Sequence, residues 1–555
     1  IYESQERYSL AIDPARLEQF DQYCKRERCP YAVLGEISAD DELVVTRGQG
    51  EEPAVDMPMS VLLGKTPKMH RDAEHAEPVK METDKAVDTR KALYEVLAHP
   101  TVGSKKFLIT IGDRTVGGMT VRDQMVGPWQ VPVADAAVTA VSFEEFKGEA
   151  MAMGEKTPIA VSNAAAASRM AIGEALTNLV SVDVNLDRII LSANWMGACG
   201  VKGQDAALYD GVSAASSFCQ ELGVSIPVGK DSLSMKTSWK DQAGEDKTVV
   251  SPVSLVVSAA APVYDIRNNL LPMFAESVRD SSLLLIDLGH GKDRLGGSVY
   301  SQVTQRFDSV TPDMEDPKEL KKFLELIRSL SAKGAILAYH DRSDGGLAAA
   351  LCEMMFASHV GVEIVADALV SKDRTLNQAL FNEELGAVIQ VARGRAAEVE
   401  RDFEAAGMGW SLKYLGNLTQ DDHLNIYLEG KCVLSEDRVD LQKAWNEVSW
   451  QIARMRDNPE CADSEYELIS DKHNGGLVLT MGFDPEENLA APFINTGVRP
   501  KIAILREQGV NSQNEMASAF LQAGFDAVDV HMTDLLEGRA KLADFVGLAA
   551  CGGFS

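Results

Sequence analysis

VLGEISADDELVV, from Val33 to Val45, recurs as YLGNLTQDDHLNIY, from Tyr414 to Tyr427: Leu-Gly, an aliphatic residue, Ser or Thr, Asp-Asp and then Leu stand in register about 380 residues apart. Upstream of each, ESQERYSLAI (from Glu3) and FNEELGAVIQ (from Phe381) match in position and pattern. Each copy reads as a strand, an acidic helix (PARLEQFDQYCKRE; AAEVERDFEAAG) and a pair of strands opened by Leu-Gly. Two matches in the same order point to duplication of an α/β unit. Residues 1–46 then read as the tail of a first copy whose beginning lies upstream.

At 555 residues the chain is too long for one core, and about 100–200 residues per domain predicts three to five units. Residues 47–100 are polar and rich in Glu, Pro and Lys, as in a linker or arm. Strand-like segments alternate with helices from KKFLITIGDRTVGG to SPVSLVVSAAAPV, and again from SSLLLIDLG to HLNIYL, with helices expected at 317–331 and 347–357. Residues 436–465 read as a helix that Pro459 ends. The last segment restarts as strand, loop, helix, strand, the opening of an open α/β sheet.

A net charge of −29 without a basic patch argues against nucleic acid and anionic membranes as partners, since both are polyanions. The eight cysteines form no CxxC pair, which excludes the usual zinc and secreted-disulfide patterns and fits a reducing, cytoplasmic setting. The longest apolar runs fall short of the ~20 residues of a membrane span.

VGKDS (from Val228) and LGKTP (from Leu63) both fail the GxxxxGK[ST] spacing, so any nucleotide must be held by another geometry. The helix AAAASRMAIGEALTNLV, Ala164 to Val180, is small or apolar almost throughout and should be buried nearly all round. It nevertheless carries Glu174 and Asn178 one turn apart on one face. A buried carboxylate without a partner costs several kcal/mol. An Arg or Lys partner, exposure at a seam, or a magnesium ion held by oxygens would each compensate it. Two loops could complete a metal site: QVPVADAAV, with Asp135 after a strand-like run, and ILAYHDRSDGGLAAA, with Asp341, Ser343 and Asp344 before a glycine-opened helix. That helix N-terminus could face an anion, or Ser343 or Asp344 could simply cap it. His340 reads as a packed strand-end residue.

These stretches, with GDRTVGGMTVRDQMVGPWQ, SANWM, PVGKDSLSMKT, MRDNPECAD and LREQGVNSQNEMA, resemble the large single-chain phosphoribosylformylglycinamidine synthases of purine biosynthesis over essentially the whole chain. The resemblance implies an α/β (α+β) fold of tandem aminoimidazole-ribonucleotide-synthetase-like halves followed by the start of a class I glutaminase with a flavodoxin-like open sheet. It divides the chain into the tail of the first copy (1–46), a linker or arm (47–100), the N-terminal A-type nucleotide and metal domain of the second copy (101–265), its C-terminal B-type domain (270–434), a helical linker (435–498) and the glutaminase start (499–555). The implied reaction is a ligase's: formylglycinamide ribonucleotide, ATP and glutamine-derived ammonia give formylglycinamidine ribonucleotide through an iminophosphate. The implied enzyme is cytoplasmic and monomeric and includes further parts of the same polypeptide.

Residue by residue, the resemblance makes Asp135, Glu174, Asn178 and Asp341 magnesium ligands, and Lys105, Ala134 and Ser343 contacts of ATP or ADP. It implies that the second copy holds a retained, structural nucleotide while the first turns over. Glu3, Ser4 and Gln5 match the substrate-binding strand of that first copy. The closing LAACGGFS lacks the first glycine of a G-x-C-x-G elbow, so Cys551 is not expected to be the nucleophile. Gly552 and Gly553 match an oxyanion loop, and the glutaminase Cys, His and Glu are expected beyond residue 555. The alternative for this chain alone is a non-catalytic scaffold folded around magnesium and nucleotide. Selenophosphate synthetase, whose reactive glycine-flanked Cys or Sec has no match here, and GMP or CTP synthetase, which differ in domain order, fit less well.

Overall fold

The longer of two compact units, residues 73–480, holds two large sheets; residues 1–72 and 481–555 make up the other. The computed structural model describes residues 7–48, 50–65, 67–68, 70–77, 87–115, 117–306 and 309–553. In the longer unit a first sheet contains β1 (Thr120–Arg122), β2 (Ala137–Ala140), β3 (Gly148–Glu155), β4 (Ile190–Met196), β5 (Ser225–Ser232) and β6 (Ser254–Val263), in the order β1-β2-β3-β6-β4-β5. Only β4 and β5 run parallel. In β3 the small residues Gly148, Ala150 and Ala152 face inward while Glu149, Met151 and Met153 face out, the period of two that a half-covered strand requires.

That small inner face admits a helix closely. Helix α1 (Ala164–Leu179) starts where the Asn163 side chain accepts the Ala166 N–H, and packs on β3 and β6 beside α2 (Gln204–Leu222). Thirteen of its sixteen residues are buried, as the sequence leads one to expect, because the second sheet covers its other side. That sheet comprises β7 (Ser281–Asp287), β8 (Ile336–Asp341), β9 (Gly361–Val365), β10 (Gly386–Ala392), β11 (Leu412–Thr419), β12 (His423–Leu428) and β13 (Lys431–Asp437), in the order β8-β10-β7-β11-β9-β12-β13. The central β7 is buried on both faces, as its unbroken apolar run dictates. Leu284, Ile286, Tyr339 and Leu385 of this half join Met170, Ile172 and Leu176 of α1 in one core. Each such aliphatic side chain contributes about 1.5–3 kcal/mol by leaving water.

The second sheet is flanked by α3 (Pro317–Ala332), α4 (Gly346–Ser358) and α5 (Arg438–Arg456). The expected single helix over 436–465 is in fact two. Asp457 leaves the helical conformation, the Asn458 side chain accepts the N–H groups of Glu460 and Cys461, and Pro459 opens a new helix at its first position, where a missing N–H costs nothing. None of the described helices is long and apolar enough to cross a membrane.

α4 ends at His359, which adopts a left-handed φ of 51° and stacks on Trp129 with ring centroids 3.6 Å apart. Burial, with the charge of Arg438, lowers its pKa from 6.5 to about 3. The unfolded chain therefore takes up a proton at His359 below pH 6.5 that the folded chain refuses, and stability is lost as pH falls from 6.5 toward 3. His359→Asn keeps a residue tolerant of positive φ and cannot titrate. The variant's melting temperature, followed from pH 7 to 5, should fall less steeply than the parent's.

In the shorter unit β14 (Lys501–Arg506) lies between β15 (Asp526–His531) and β16 (Gly547–Ala550), all parallel, with α6 (Gln513–Gln522) connecting the first two. Helix Leu17–Glu27 reaches this sheet through Arg26, bonded to Asp529 at 3.0 Å and Asp534 at 2.9 Å, and through Glu27, bonded to Arg506. The Leu-Gly strand pair expected in the first copy forms only in part. Glu42–Val45 pairs with Val55–Pro58, whereas Val33, Leu34 and Ile37 are exposed and outside any strand. Their counterparts in β11 are held between β7 and β9, and a strand needs such neighbours to accept its ladder of hydrogen bonds.

Candidate functional site

β8 pairs with β10 so that His340 lies opposite Val388 and Asp341 opposite Ala387, and its last two side chains meet Asp135 from the loop before β2. His340 Nδ1 lies 2.6 Å from Asp135 Oδ1 and 3.8 Å from Asp341 Oδ1, and its Nε2 lies 2.8 Å from Glu353 Oε2 on α4. The candidate ligand atoms of Asp135, His340 and Asp341 all lie within 4.8 Å of one another. Asp135 Oδ2 and Asp341 Oδ2 are buried and have no hydrogen-bond partner among the described residues. Burial and the Asp135 charge hold the Asp341 carboxyl well above its ordinary range. Burial also raises Asp135, against the pull of His340. Burial works against protonation of His340, but the Asp135 carboxylate outweighs it and keeps the imidazole pKa well above 6.5.

Beside this triad, Glu174 finds its compensation in a lysine that the sequence reading did not single out. Lys156 is 2% exposed, with its Nζ 3.1 Å from Glu174 Oε1, 2.5 Å from Asp344 Oδ1 and 3.0 Å from Ser343 Oγ. Ser343 Oγ also donates to Glu174 Oε1, and Glu174 Oε2 accepts the Glu155 N–H at 2.6 Å. Burial raises the Glu174 carboxyl although Lys156 opposes it. For Lys156, burial is outweighed by Asp344 and Glu174, and its pKa lies well above the ordinary value. The contact depends on Gly154: a Cβ there would stand 2.1 Å from the Ala171 carbonyl oxygen and 2.5 Å from the Ala175 nitrogen, so only glycine lets β3 approach α1 this closely.

Neither Ser343 nor Asp344 caps α4; both are committed to Lys156. The cap position is Gly345, and its N–H donates to Glu383 Oε1 at 2.9 Å, while the Gly346 N–H donates to the Ser343 carbonyl. The N–H groups of both helix-opening glycines are thus taken within the chain. Gly346 has φ +68°, and a Cβ there would lie 2.5 Å from the Asn382 oxygen. Burial and the nearby Asp344 push the Glu383 pKa up to about 8. A cavity of about 660 Å³ opens on Lys156, Asp344 and Glu383 and is walled by Ile159, Val299 and Arg306.

The fold therefore brings Asp135 and Asp341 together, with Glu174 near enough for its charge to act on Asp341 and with Ser343 bonded to Glu174. Lys105 gives its Nζ to the carbonyls of Thr101 and Gly103, and burial lowers its pKa against the attraction of Glu353 and Asp344. Ala134 is half-buried beside Asp135, its N–H bonded to Gln124. Asn178 is half-buried and donates to the Met153 carbonyl at 3.3 Å, without a bond to the acids among the described residues. Glu3, Ser4 and Gln5 lie outside the described residues.

In the shorter unit the Gly552 carbonyl accepts the Asn511 N–H, and a Cβ on Gly553 would lie 2.1 Å from the Gly509 oxygen. Burial and the charge of Glu515 raise the Cys551 thiol, the opposite of the lowered value that marks a reactive cysteine.

Sequence reasoning missed Lys156, Glu353 and Glu383 and set His340 aside. Glu353 is the sole charged residue of GLAAALCEMMFAS, otherwise buried throughout, so the argument that picked out Glu174 applies to it equally.

Three family descriptions match the chain in succession: the FGAR-AT PurM_N-like domain over residues 104–262, the C-terminal domain of AIR synthase related proteins over 281–429, and the CobB/CobQ-like glutamine amidotransferase domain over 499–555. Among solved structures the chain is similar to T. maritima PurL complexed with ATP (11% identity, 64% of this chain and 52% of that one, TM-score 0.45). It is similar also to T. maritima PurL complexed with FGAR (12%, 64% and 54%, 0.46) and to E. coli HypE, a hydrogenase maturation protein (15%, 52% and 84%, 0.36). The chain spans about half the length of these PurL structures. Its order of domains defines a class, AIR-synthase-related α/β domains joined to the opening of a glutamine amidotransferase. Within that class the domain over residues 104–262 is of the kind described for FGAR amidotransferases.

Proposed function

We propose that this chain is part of a glutamine-dependent ligase of purine biosynthesis, which converts formylglycinamide ribonucleotide to its amidine with ATP and ammonia from glutamine. The family matches support that activity, and the paired acids of the longer unit support a magnesium-nucleotide site within it. In this reading the amide oxygen, a poor leaving group, is phosphorylated to an iminophosphate that ammonia displaces. The site formed around Asp135 and Asp341 retains a nucleotide for structural reasons, and turnover takes place in the first copy.

The observation that carries the reading is the pair of buried, unpartnered oxygens, Asp135 Oδ2 and Asp341 Oδ2. Unpaired carboxylate oxygens are costly away from water, and a hard divalent cation is what a set of oxygen ligands accepts. Asp135, Asp341 and Glu174, with Asn178 one turn on, would hold it. When bound, a divalent cation neutralises phosphate charge. Lys156 holds Glu174, Asp344 and Ser343 in place, and the Ser343 hydroxyl links the lysine to Glu174 at the edge of the cluster. The cavity beside Lys156 has the volume of a ligand pocket, and its apolar walls at Ile159 and Val299 would exclude water from a bound base. Gly552 and Gly553 would serve the oxyanion loop of the amidotransferase, with another residue than Cys551 as its nucleophile.

Mass analysis of the denatured, purified chain tests the nucleotide site. ADP or ATP should be released from the parent, and at least about tenfold less from Asp341→Ala at equal protein, since even a change to a group behind a metal ligand costs about 10- to 100-fold in affinity. Equal nucleotide content in both, or none in the parent, would refute the assignment. Incubating the chain with ATP, formylglycinamide ribonucleotide and ammonia separates ligase from scaffold: the structural-nucleotide reading expects no turnover above background from this site alone.

A further inference from the structure

We propose that His340, Glu353 and Trp445 are positioning residues that set the orientation of the Asp135 carboxylate for a divalent cation; the inference rests on the metal reading above. Trp445 Nε1 on α5 donates to Glu353 Oε1 at 3.2 Å and to the Val102 carbonyl at 2.9 Å. The other carboxylate oxygen of Glu353 lies 2.8 Å from His340 Nε2, and His340 Nδ1 lies 2.6 Å from Asp135 Oδ1. Trp445 is 2% exposed, and the side chains of His340 and Asp135 are 8% and 2% exposed. Both ring nitrogens of His340 are engaged by carboxylates. The imidazole therefore cannot give a nitrogen to a cation without breaking one of these bonds, and its role is to fix a ligand rather than to be one.

The geometry leaves Asp135 one tethered oxygen and one free. Oδ1 is held by His340, and Oδ2 is the buried atom without a partner. Holding one oxygen removes the rotation that would otherwise be frozen on binding, as outer-shell partners of metal ligands generally do. The same chain of bonds explains why α4, otherwise apolar and buried, tolerates Glu353: its two oxygens are taken by His340 and Trp445. It also ties the loop before β2, which carries Asp135, to α5, so the position of α5 is linked to the orientation of that acid.

Mn²⁺ binding to the purified chain, followed by loss of the free-ion EPR signal, tests this without reference to activity. Glu353→Leu should weaken Mn²⁺ binding about 10- to 100-fold. Glu353→Gln, which can still accept from Trp445 and face His340, should restore most of the affinity, and Trp445→Phe should show a smaller loss. Asp135→Ala serves as the control that abolishes the site, and thermal melts establish that each variant is folded. Parent-like affinity in Glu353→Leu, or in Trp445→Phe should the leucine variant fail to fold, would overturn the proposal. Equal weakening by Gln and Leu would do the same, because charge rather than position would then be responsible. A parent that binds no Mn²⁺ would instead sink the metal reading itself, and this inference with it.

Discussion

Replacing Lys156 with methionine should destabilise the folded chain by about 3–5 kcal/mol, the cost of removing one partner from a buried ion cluster. The ammonium is 2% exposed and holds Glu174, Asp344 and Ser343 at 2.5 to 3.1 Å. Methionine fills the volume but leaves the Glu174 carboxylate buried against α1 with two neutral donors, the Glu155 N–H and the Ser343 hydroxyl. The sign of the pH dependence follows. Glu174 already has a raised folded-state pKa, and loss of the lysine raises it further above the unfolded value. A group that binds its proton more tightly when folded stabilises the fold at low pH and ceases to do so as pH rises. Denaturant titrations should therefore show a larger difference between variant and parent at pH 8 than at pH 5. A difference that shrinks toward pH 8, or one below about 1 kcal/mol at both pH values, would contradict the role given to Lys156.

The second large effect is expected at Gly154. Alanine there places a methyl group 2.1 Å from the Ala171 carbonyl oxygen and 2.5 Å from the Ala175 nitrogen, both backbone atoms of α1. The helix must move away from β3, which stretches the 2.6 Å bond from the Glu155 N–H to Glu174. Overpacking of about 1–3 kcal/mol and a hydrogen bond to a charged group worth about 1.5–3 kcal/mol together put the loss at about 3 kcal/mol or more. Chemical denaturation measures it. A control at Gly223, which caps α2 at φ +80° with nothing within 4 Å of its Cβ position, separates contact from conformation: Gly223→Ala should cost about 1 kcal/mol through backbone strain alone.

Both sites show what a sequence can and cannot reveal. Glu174 was legible because an acid in a run of alanines breaks the local rule, and its neighbours on the helix fix its face. Glu353 was equally legible on the same ground. Lys156 was not, because a lysine following an alternating strand looks like any solvated residue until the turn at Thr157 and the second sheet close over it. His340 carries no local sign of its two carboxylate partners, which arrive from residues 135 and 353. The helix-opening glycines suggested amides free for an anion, yet Glu383, some forty residues on, claims one of them. Pro459 reads from the sequence as the end of one helix, whereas the Asn458 cap makes it the first residue of the next.

The residue pattern by itself determined the periodicities of most strands and helices, which of their faces are apolar, and that one nearly wholly apolar helix must bury an acid. These are local quantities, fixed by side-chain spacing along the chain. Only the tertiary structure decided which charge meets which. Electrostatic partners lie tens to hundreds of residues apart, and their interaction depends on separations of a few ångströms and on burial that no local spacing encodes. The same holds for Val33–Ile37, whose strand-like sequence remains outside any sheet because a strand is completed by its neighbours.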